Sequence, residues 1–434
     1  MEHNGGTPAS KTLRVPSSYT LEDNISMSQI TRRQFSTGLV AAAAAPARRL
    51  FAAADLNATL RDGIARRKIP CVTAMVARPD SIVYTGAFGT RDAESGIQVT
   101  PDSIFAIASM TKTIASTAAM QLVERGKVRL EEPAANHLPE LAKLEVLEGF
   151  DASGNPKLRP ARKPVMLKHL LTHTSGFAYD TWDENMRKYN ALLPVPPGTV
   201  APLTPLIFEP GTRWQYGTGL DWTGKLVEAV SGQTLEAYFQ TNILEPLGMK
   251  DTKFSVPGEK FDRMVSVYQR QPDGSLKQNP RRLPAPPKAF NGGGGLYSTV
   301  GDYVRFMQMI LRKGRGPGND RILQEKTVEM MSSNQTGHLA AGRLKTALPA
   351  RSADVDFHPG FDDRYTYGFL LNPVAYKEGR AAGSLAWAGI DNTFYWIDPS
   401  RQICATIMMQ FLPFVDPQAV DLLRDFERAV YTVV

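Results

Sequence analysis

Ser109, Met110, Thr111 and Lys112 put a hydroxyl and an amine three positions apart, in the one Ser-x-x-Lys of the chain. A serine hydroxyl is a weak nucleophile until a base takes its proton, and lysine serves as that base only where its surroundings disfavour the ammonium form. If the two side chains meet, their chemistry is acyl transfer. Chance alone supplies about one such pair in a chain of this length and composition, so the setting decides. Pro101 and Asp102 lead into an apolar approach through Ile104, Phe105 and Ile107, and a helix is predicted from near Ser109 to Gly126, with Gly126 suited to the left-handed position past its end. In the first turn of that helix side chains three apart share a face, so the amine reaches the hydroxyl. The free amides of the turn and the positive end of the helix dipole would then lie beside a reacting carbonyl oxygen.

Competing chemistries leave fewer traces. The chain has no Gly-x-Ser-x-Gly elbow, no His-Glu-x-x-His, no Walker A loop and no Gly-x-Gly-x-x-Gly opening a helix after a strand. His169 and His173 stand four apart on a predicted helix, but no third ligand accompanies them, and structural support outweighs metal binding. Gly292 to Gly295 lacks the grammar of a phosphate loop and reads as a close backbone approach. Two cysteines, Cys71 and Cys404, in apolar runs exclude a disulfide-dense scaffold. Fifty Lys and Arg against 43 Asp and Glu give a formal charge of +7. The cations are scattered, without the basic stripe of a nucleic-acid binder. No cofactor is expected.

At 434 residues the chain is long enough for one large domain or two ordinary ones. Asp55 can cap a helix whose Leu56, Leu60 and Ile64 form an apolar stripe. Cys71 to Ala77 and Ser81 to Phe88 read as a hairpin around Arg78, Pro79 and Asp80. Leu385 to Trp396 and Ile403 to Phe411 read as two more strands, joined through Asp398, Pro399 and Ser400. A last helix begins at Asp416 with Pro417 in its first turn. Both ends thus carry helix and hairpin segments that suit one antiparallel sheet. Residues 55–130 and 290–434 are predicted to build this α/β part. Residues 131–289 are predicted to form a mainly helical region, with Pro280 to Pro287 as a surface connection near its end.

The first 54 residues read as an export leader. Thr31, Arg32, Arg33, Gln34 and Phe35 precede an apolar small-residue run from Ser36 to Ala47, which resembles a twin-arginine signal. The run is shorter than the roughly 20 residues a membrane span needs, so no stable insertion is expected. Cleavage after Ala47 or Ala54 and a periplasmic or secreted location are the expectations.

Downstream segments give Ser109 and Lys112 company. Glu209-Pro-Gly-Thr-Arg-Trp-Gln-Tyr216-Gly-Thr218 places a tyrosine after a turn, and Trp387-Ala388-Gly389 lies in a predicted strand. With His169 to Gly176, Glu245 to Met249 and Gly292 to Ser298 in this order, the chain from about Asp55 to Val434 resembles the serine β-lactamase and penicillin-binding-protein superfamily. The resemblance is greatest to family VIII carboxylesterases and lovastatin-type acyltransferases. It implies an α/β (α+β) fold, β-lactamase/transpeptidase-like, with an antiparallel sheet flanked by helices. It assigns Ser109 as nucleophile, Lys112 as general base and Tyr216 as second proton carrier, with the backbone amides of Ser109 and Ile390 as the oxyanion hole. Trp387, Ala388, Gly389 and Thr218 are placed at the substrate. Two departures point to esters. An indole at Trp387 replaces the cation that would hold a β-lactam carboxylate, and Thr218 stands where β-lactamases usually have Asn. The implied activity is hydrolysis of short- to medium-chain esters, a small-molecule substrate, through an acyl-enzyme on Ser109. Transfer of the acyl group to an alcohol, or weak β-lactam or D-peptide cleavage, are the alternatives.

Overall fold

The structure, a computed structural model, describes residues 53–193, 203–318 and 320–433. Its centre is a seven-stranded antiparallel sheet drawn from both ends of the described chain. The strands are β1 (Cys71–Arg78), β2 (Ser81–Gly89), β3 (Arg364–Tyr365), β4 (Leu370–Asn372), β5 (Ser384–Gly389), β6 (Thr393–Asp398) and β7 (Ile403–Met408), in spatial order β2-β1-β7-β6-β5-β4-β3. Central strands such as β6 and β7 are buried along their whole length, so helices must cover both faces. Consecutive residues of a strand face opposite ways, and β6 shows what each face meets. Tyr395 turns to one side, where its hydroxyl lies 2.6 Å from Thr113 Oγ1 of helix α2 (Thr111–Glu124). Trp396 turns to the other, where it packs edge-on against Phe426 of the last helix.

Helix α1 (53–67) buries Leu56, Leu60 and Ile64, the stripe its sequence predicts. It lies so close to the last helix that a Cβ at Gly63 would strike Leu422. Three more helices frame the site: α3 (Gly219–Ser231), α4 (Val300–Leu311) and α5 (Pro417–Val433). The stretch from 131 to 289 holds α3 and short helical turns, together with two hairpins that the pattern did not reveal, Glu145–Phe150 with Pro156–Pro160 and Tyr268–Arg270 with Leu276–Gln278.

One predicted strand is two. The apolar run Leu385 to Trp396 breaks into β5 and β6 at a tight turn, where Asn392 takes a φ of 63° and its N–H donates to Gly389 O at 3.1 Å. The turn is buried, so no solvent-facing punctuation marks it. Asn392 Nδ2 donates instead to Phe411 O (2.8 Å) and Pro413 O (2.9 Å). The turn sets Ile390 at the open end of β5, where β4 no longer pairs. Among the described residues no helix is long and apolar enough to cross a membrane. The twin-arginine segment lies outside the described residues.

Candidate active site

Ser109 stands in a 3-10 turn, Ala108–Met110, that feeds directly into α2. Ala108 adopts a φ of 43°, a left-handed conformation that costs an alanine strain of order 1 kcal/mol. It is held there by packing on both sides. A Cβ at Gly389 would collide with Ile107 O, so glycine lets the end of β5 abut the turn that carries Ser109. Tyr303 of α4 donates to Met110 O at 3.0 Å and fixes the turn from behind.

Lys112 is fully buried on the first turn of α2. Its Nζ lies 3.2 Å from Ser109 Oγ, 3.0 Å from Tyr179 Oη and 2.6 Å from Gly293 O. An amine so enclosed must have its N–H groups accepted, and these three oxygens do so without a carboxylate in direct contact. The carboxylate stands one shell out: Tyr179 Oη donates to Asp221 Oδ2 at 3.3 Å, and Asp221 Oδ1 accepts the Gly293 N–H at 3.1 Å. Lys112, Tyr179, Asp221 and Gly293 therefore close a ring of hydrogen bonds. Burial holds the Tyr179 phenol well above its ordinary range, reinforced by the Asp221 charge, so it remains protonated. Burial also raises the Asp221 carboxyl, against the pull of Lys112. Asp221 sits in the first turn of α3. A Cβ at Gly293 would overlap its carboxylate, so the close approach expected of the glycine run is what delivers a carbonyl to the lysine.

Tyr216 arrives differently from its expected place. Its ring faces Lys112, with Nζ 4.8 Å from the ring centroid. Among the described residues its buried hydroxyl has no hydrogen-bond partner. The phenol that does bond the lysine is Tyr179, which no motif of the sequence singles out. Asp221 was missed as well. The available signal was position, since it lies five residues past Tyr216 at the start of a helix. Around Tyr216 stand His173, Trp182 and Trp387, with ring centroids 4.7, 5.2 and 4.9 Å away.

His169 and His173 do not share a helix face. The helix ends at Leu171 and His173 has a φ of 57°. His169 Nδ1 accepts the Met166 N–H at 3.2 Å, and His173 Nδ1 accepts the Gly217 N–H at 3.4 Å. Burial, with Lys112 nearby, keeps His173 neutral well below the usual imidazole range. Its ring is a wall for Tyr216. Among the described residues no group of three or more His, Cys, Asp or Glu is arranged to hold a metal.

Ser109 opens onto two spaces. A cleft of about 660 Å³ is bordered by Tyr179, Asp221, Ile390 and Arg351, and by Pro284, Ala285 and Pro287 of the segment expected to be only a surface connection. A narrow apolar recess of about 10 Å³ runs from Ser109 past Trp182, Tyr216, Trp387, Ala388 and Phe414. Ile390 lines both. Thr218 lines neither; its carbonyl accepts the Asp221 N–H at 3.0 Å at the start of α3. Another cavity, of about 630 Å³, lies between β5 and α5, but neither Ser109 nor Lys112 borders it.

A helix-borne serine and lysine beside an antiparallel sheet edge, with tyrosines closing over the lysine, define the β-lactamase/transpeptidase-like class of fold. Comparison with known proteins agrees: residues 56–429 match the beta-lactamase family, and the chain belongs to it. A monacolin J acid methylbutanoyltransferase of Aspergillus terreus is 32% identical over 88% of this chain and 97% of its own length. A lovastatin esterase of Penicillium rubens is 32% identical over 80% of this chain and 90% of its own. Among solved structures, a mutant of simvastatin synthase from Aspergillus terreus superposes with a TM-score of 0.75 at 31% identity, covering 87% of this chain and 96% of that one. The chain thus lies among relatives that include both acyltransferases and esterases.

Proposed function

We propose that the protein is a serine acyl-enzyme that cleaves short- to medium-chain esters. The observation that carries this reading is the 3.2 Å contact between Ser109 Oγ and a buried Lys112 Nζ with no carboxylate in direct contact. In the amine form Lys112 takes the Ser109 proton as Oγ bonds to the ester carbonyl carbon. The carbonyl oxygen becomes an oxyanion, received by the N–H groups of Ser109 and Ile390; removing one such donor costs about 3–4 kcal/mol in well-studied hydrolases. As the tetrahedral intermediate collapses, the bond to the leaving oxygen breaks. That oxygen takes a proton from Tyr216, whose hydroxyl has no partner among the described residues, and Lys112, whose Nζ faces the Tyr216 ring at 4.8 Å, restores it once the phenol turns its oxygen to the amine. The acyl group stays on Ser109 until water or another alcohol attacks by the same steps in reverse. Tyr179, held by Asp221, acts as a positioning residue for Lys112.

The broad cleft of about 660 Å³ has room for both parts of a small ester, whereas the apolar recess, at about 10 Å³, holds no more than about one water. Trp387 in the recess offers no cation to a β-lactam carboxylate, which ranks β-lactam cleavage behind ester cleavage. Transfer to an alcohol is supported by the width of the cleft and by the transferase among the relatives. Hydrolysis and transfer separate in one experiment: p-nitrophenyl butyrate is supplied with increasing alcohol, and acid and new ester are quantified. Butyrate alone at every alcohol concentration means hydrolysis only; ester that rises at the expense of acid means transfer. Export by the twin-arginine route completes the proposal. Arg32→Lys with Arg33→Lys should hold the protein in the cytoplasm, and unchanged fractionation would refute it.

A further inference from the structure

We propose that the 630 Å³ cavity between β5 and α5 is a second ligand site, which takes a medium-chain fatty acid with its chain against the sheet and its carboxylate at the cationic rim. The site is separate from the Ser109 centre, and the proposal does not depend on the role of that serine.

The space arises where a short side chain on the strand faces the helix. Ala386 pairs with Trp396 of β6 on one side and with Leu370 of β4 on the other. Paired residues share a face of the sheet, and on this face Trp396 packs against Phe426 of α5. Ala386 is the one residue of β5 that is not buried, and its methyl group leaves room beneath α5. Leu370, Phe394, Val420 and Leu423 continue the apolar lining. On α5, Val420 and Leu423 share a side with Arg424, Glu427 and Arg428 through three- and four-residue spacing. Trp387, the next residue of β5, turns its ring to the opposite face, with its centroid 4.9 Å from that of Tyr216. The strand therefore stands between this cavity and the Ser109 cleft. A volume of about 630 Å³ is ordinary for a small-molecule site.

The charge on the lining selects the ligand's head group. Lys377, Arg380, Arg424 and Arg428 border the cavity against only two carboxylates, Glu378 and Glu427. Both carboxylates are spent: Glu427 holds Arg380 at 2.6 Å, and Glu378 holds Arg428 at 3.1 Å. His358 is committed too, with Nδ1 3.0 Å from Asp363 and its ring stacked between Phe361 and Tyr376 at 4.4 and 4.1 Å. Two cations remain. Lys377 is exposed and makes no ion pair or hydrogen bond among the described residues. Arg424, half-exposed, has its neighbour Asp421 at 3.9 Å, beyond hydrogen-bond distance. An apolar chamber with an excess of cations at its exposed edge complements a molecule with an apolar body and one carboxylate. A neutral chain leaves the two cations unused, and a small inorganic anion leaves the apolar wall wet.

The test is calorimetric titration of the full chain with octanoate, decanoate and 1-octanol. Three proteins are compared: wild type, the double variant Lys377→Gln with Arg424→Gln, and Ala386→Phe, which fills the space beneath α5. Wild type should bind decanoate about tenfold tighter than octanoate, because two more methylenes leave water. The double variant should bind octanoate about tenfold more weakly while its Kd for 1-octanol changes within about twofold. Ala386→Phe, with its fold checked by circular dichroism, should lose the site for acid and alcohol alike; if it does not fold, the double variant decides alone. Wild type that binds neither acid overturns the proposal. So does a double variant that binds octanoate within about twofold of wild type, as an acid lodged in the Ser109 cleft would, or one that loses octanoate and 1-octanol equally. Undiminished binding to a folded Ala386→Phe places the ligand elsewhere and overturns it too.

Discussion

Two buried basic side chains sit on this scaffold in opposite surroundings. Arg380 is held by Glu427 through Nε at 2.9 Å and Nη2 at 2.6 Å, with its guanidinium over the rings of Tyr376 and Trp396 at 4.8 and 5.1 Å. Burial opposes its charge, but the adjacent Glu427 charge prevails and drives its pKa up. Lys112 is just as buried, yet among the described residues its amine hydrogen-bonds only a hydroxyl, a phenol and a carbonyl, with Asp221 kept one group away. A direct carboxylate favours the charged form of its partner, whereas Lys112 has neutral groups within hydrogen-bond reach, the Ser109 hydroxyl among them. The first arrangement suits a joint between α5 and the loop at Tyr376, the second a proton carrier.

The largest expected effect follows from that contrast. Lys112→Met should lower kcat/KM by about three orders of magnitude or more while changing the free energy of unfolding by less than about 2 kcal/mol, read from urea titration and steady-state assays. Arg380→Met should do the reverse. Leaving Glu427 buried and alone should cost about 3–5 kcal/mol of stability, while the folded fraction keeps kcat/KM within about threefold. If both variants lose mainly stability, the two sites do not differ in kind.

The two tyrosines sharpen the picture next. Tyr216→Phe removes the unpartnered hydroxyl and should reduce kcat by about 10²–10⁴-fold. Tyr179→Phe removes a hydrogen bond to Lys112 and one to Asp221, and should cost roughly tenfold with a displaced pH–rate profile. A larger loss at Tyr179 than at Tyr216 would exchange their assigned roles.

The effect confined to stability lies at Asp391, whose carboxyl burial raises from an ordinary 3.8 to about 6, partly offset by Arg351. A carboxyl whose folded value exceeds its unfolded one favours folding below the unfolded pKa, and that contribution disappears as pH rises through the folded value. Wild-type stability should therefore fall by up to about 3 kcal/mol relative to Asp391→Asn between about pH 4 and pH 7. Thermal melts across that range provide the check, and parallel curves for the two proteins would remove Asp391 as a buried acid.

What the sequence disclosed was the part carried by short-range pattern. The Ser109–Lys112 spacing, the apolar stripe of α1 and the hairpin of β1 and β2 all depend on residues close in the chain, and the antiparallel sheet follows from hairpin segments at both ends. What it concealed depends on long-range closure. Tyr179 and Asp221 reach Lys112 from 67 and 109 positions away, the first across a hydrogen bond and the second through Tyr179 and Gly293. No local periodicity marks such residues. The turn between β5 and β6 escaped for another reason: Asn392 is fully buried, so the usual polar signal of a turn was spent inside the protein. Pro284 and Pro287 read as surface punctuation and line the cleft while doing so.

The acyl-enzyme itself is the most direct test. The protein is mixed with p-nitrophenyl butyrate, quenched in acid within the first turnover, and analysed by intact mass and peptide mapping. The account predicts one butyryl group on Ser109 in wild type and none in Ser109→Ala. Acylation of another residue, or turnover that persists in Ser109→Ala at the wild-type rate, would contradict it.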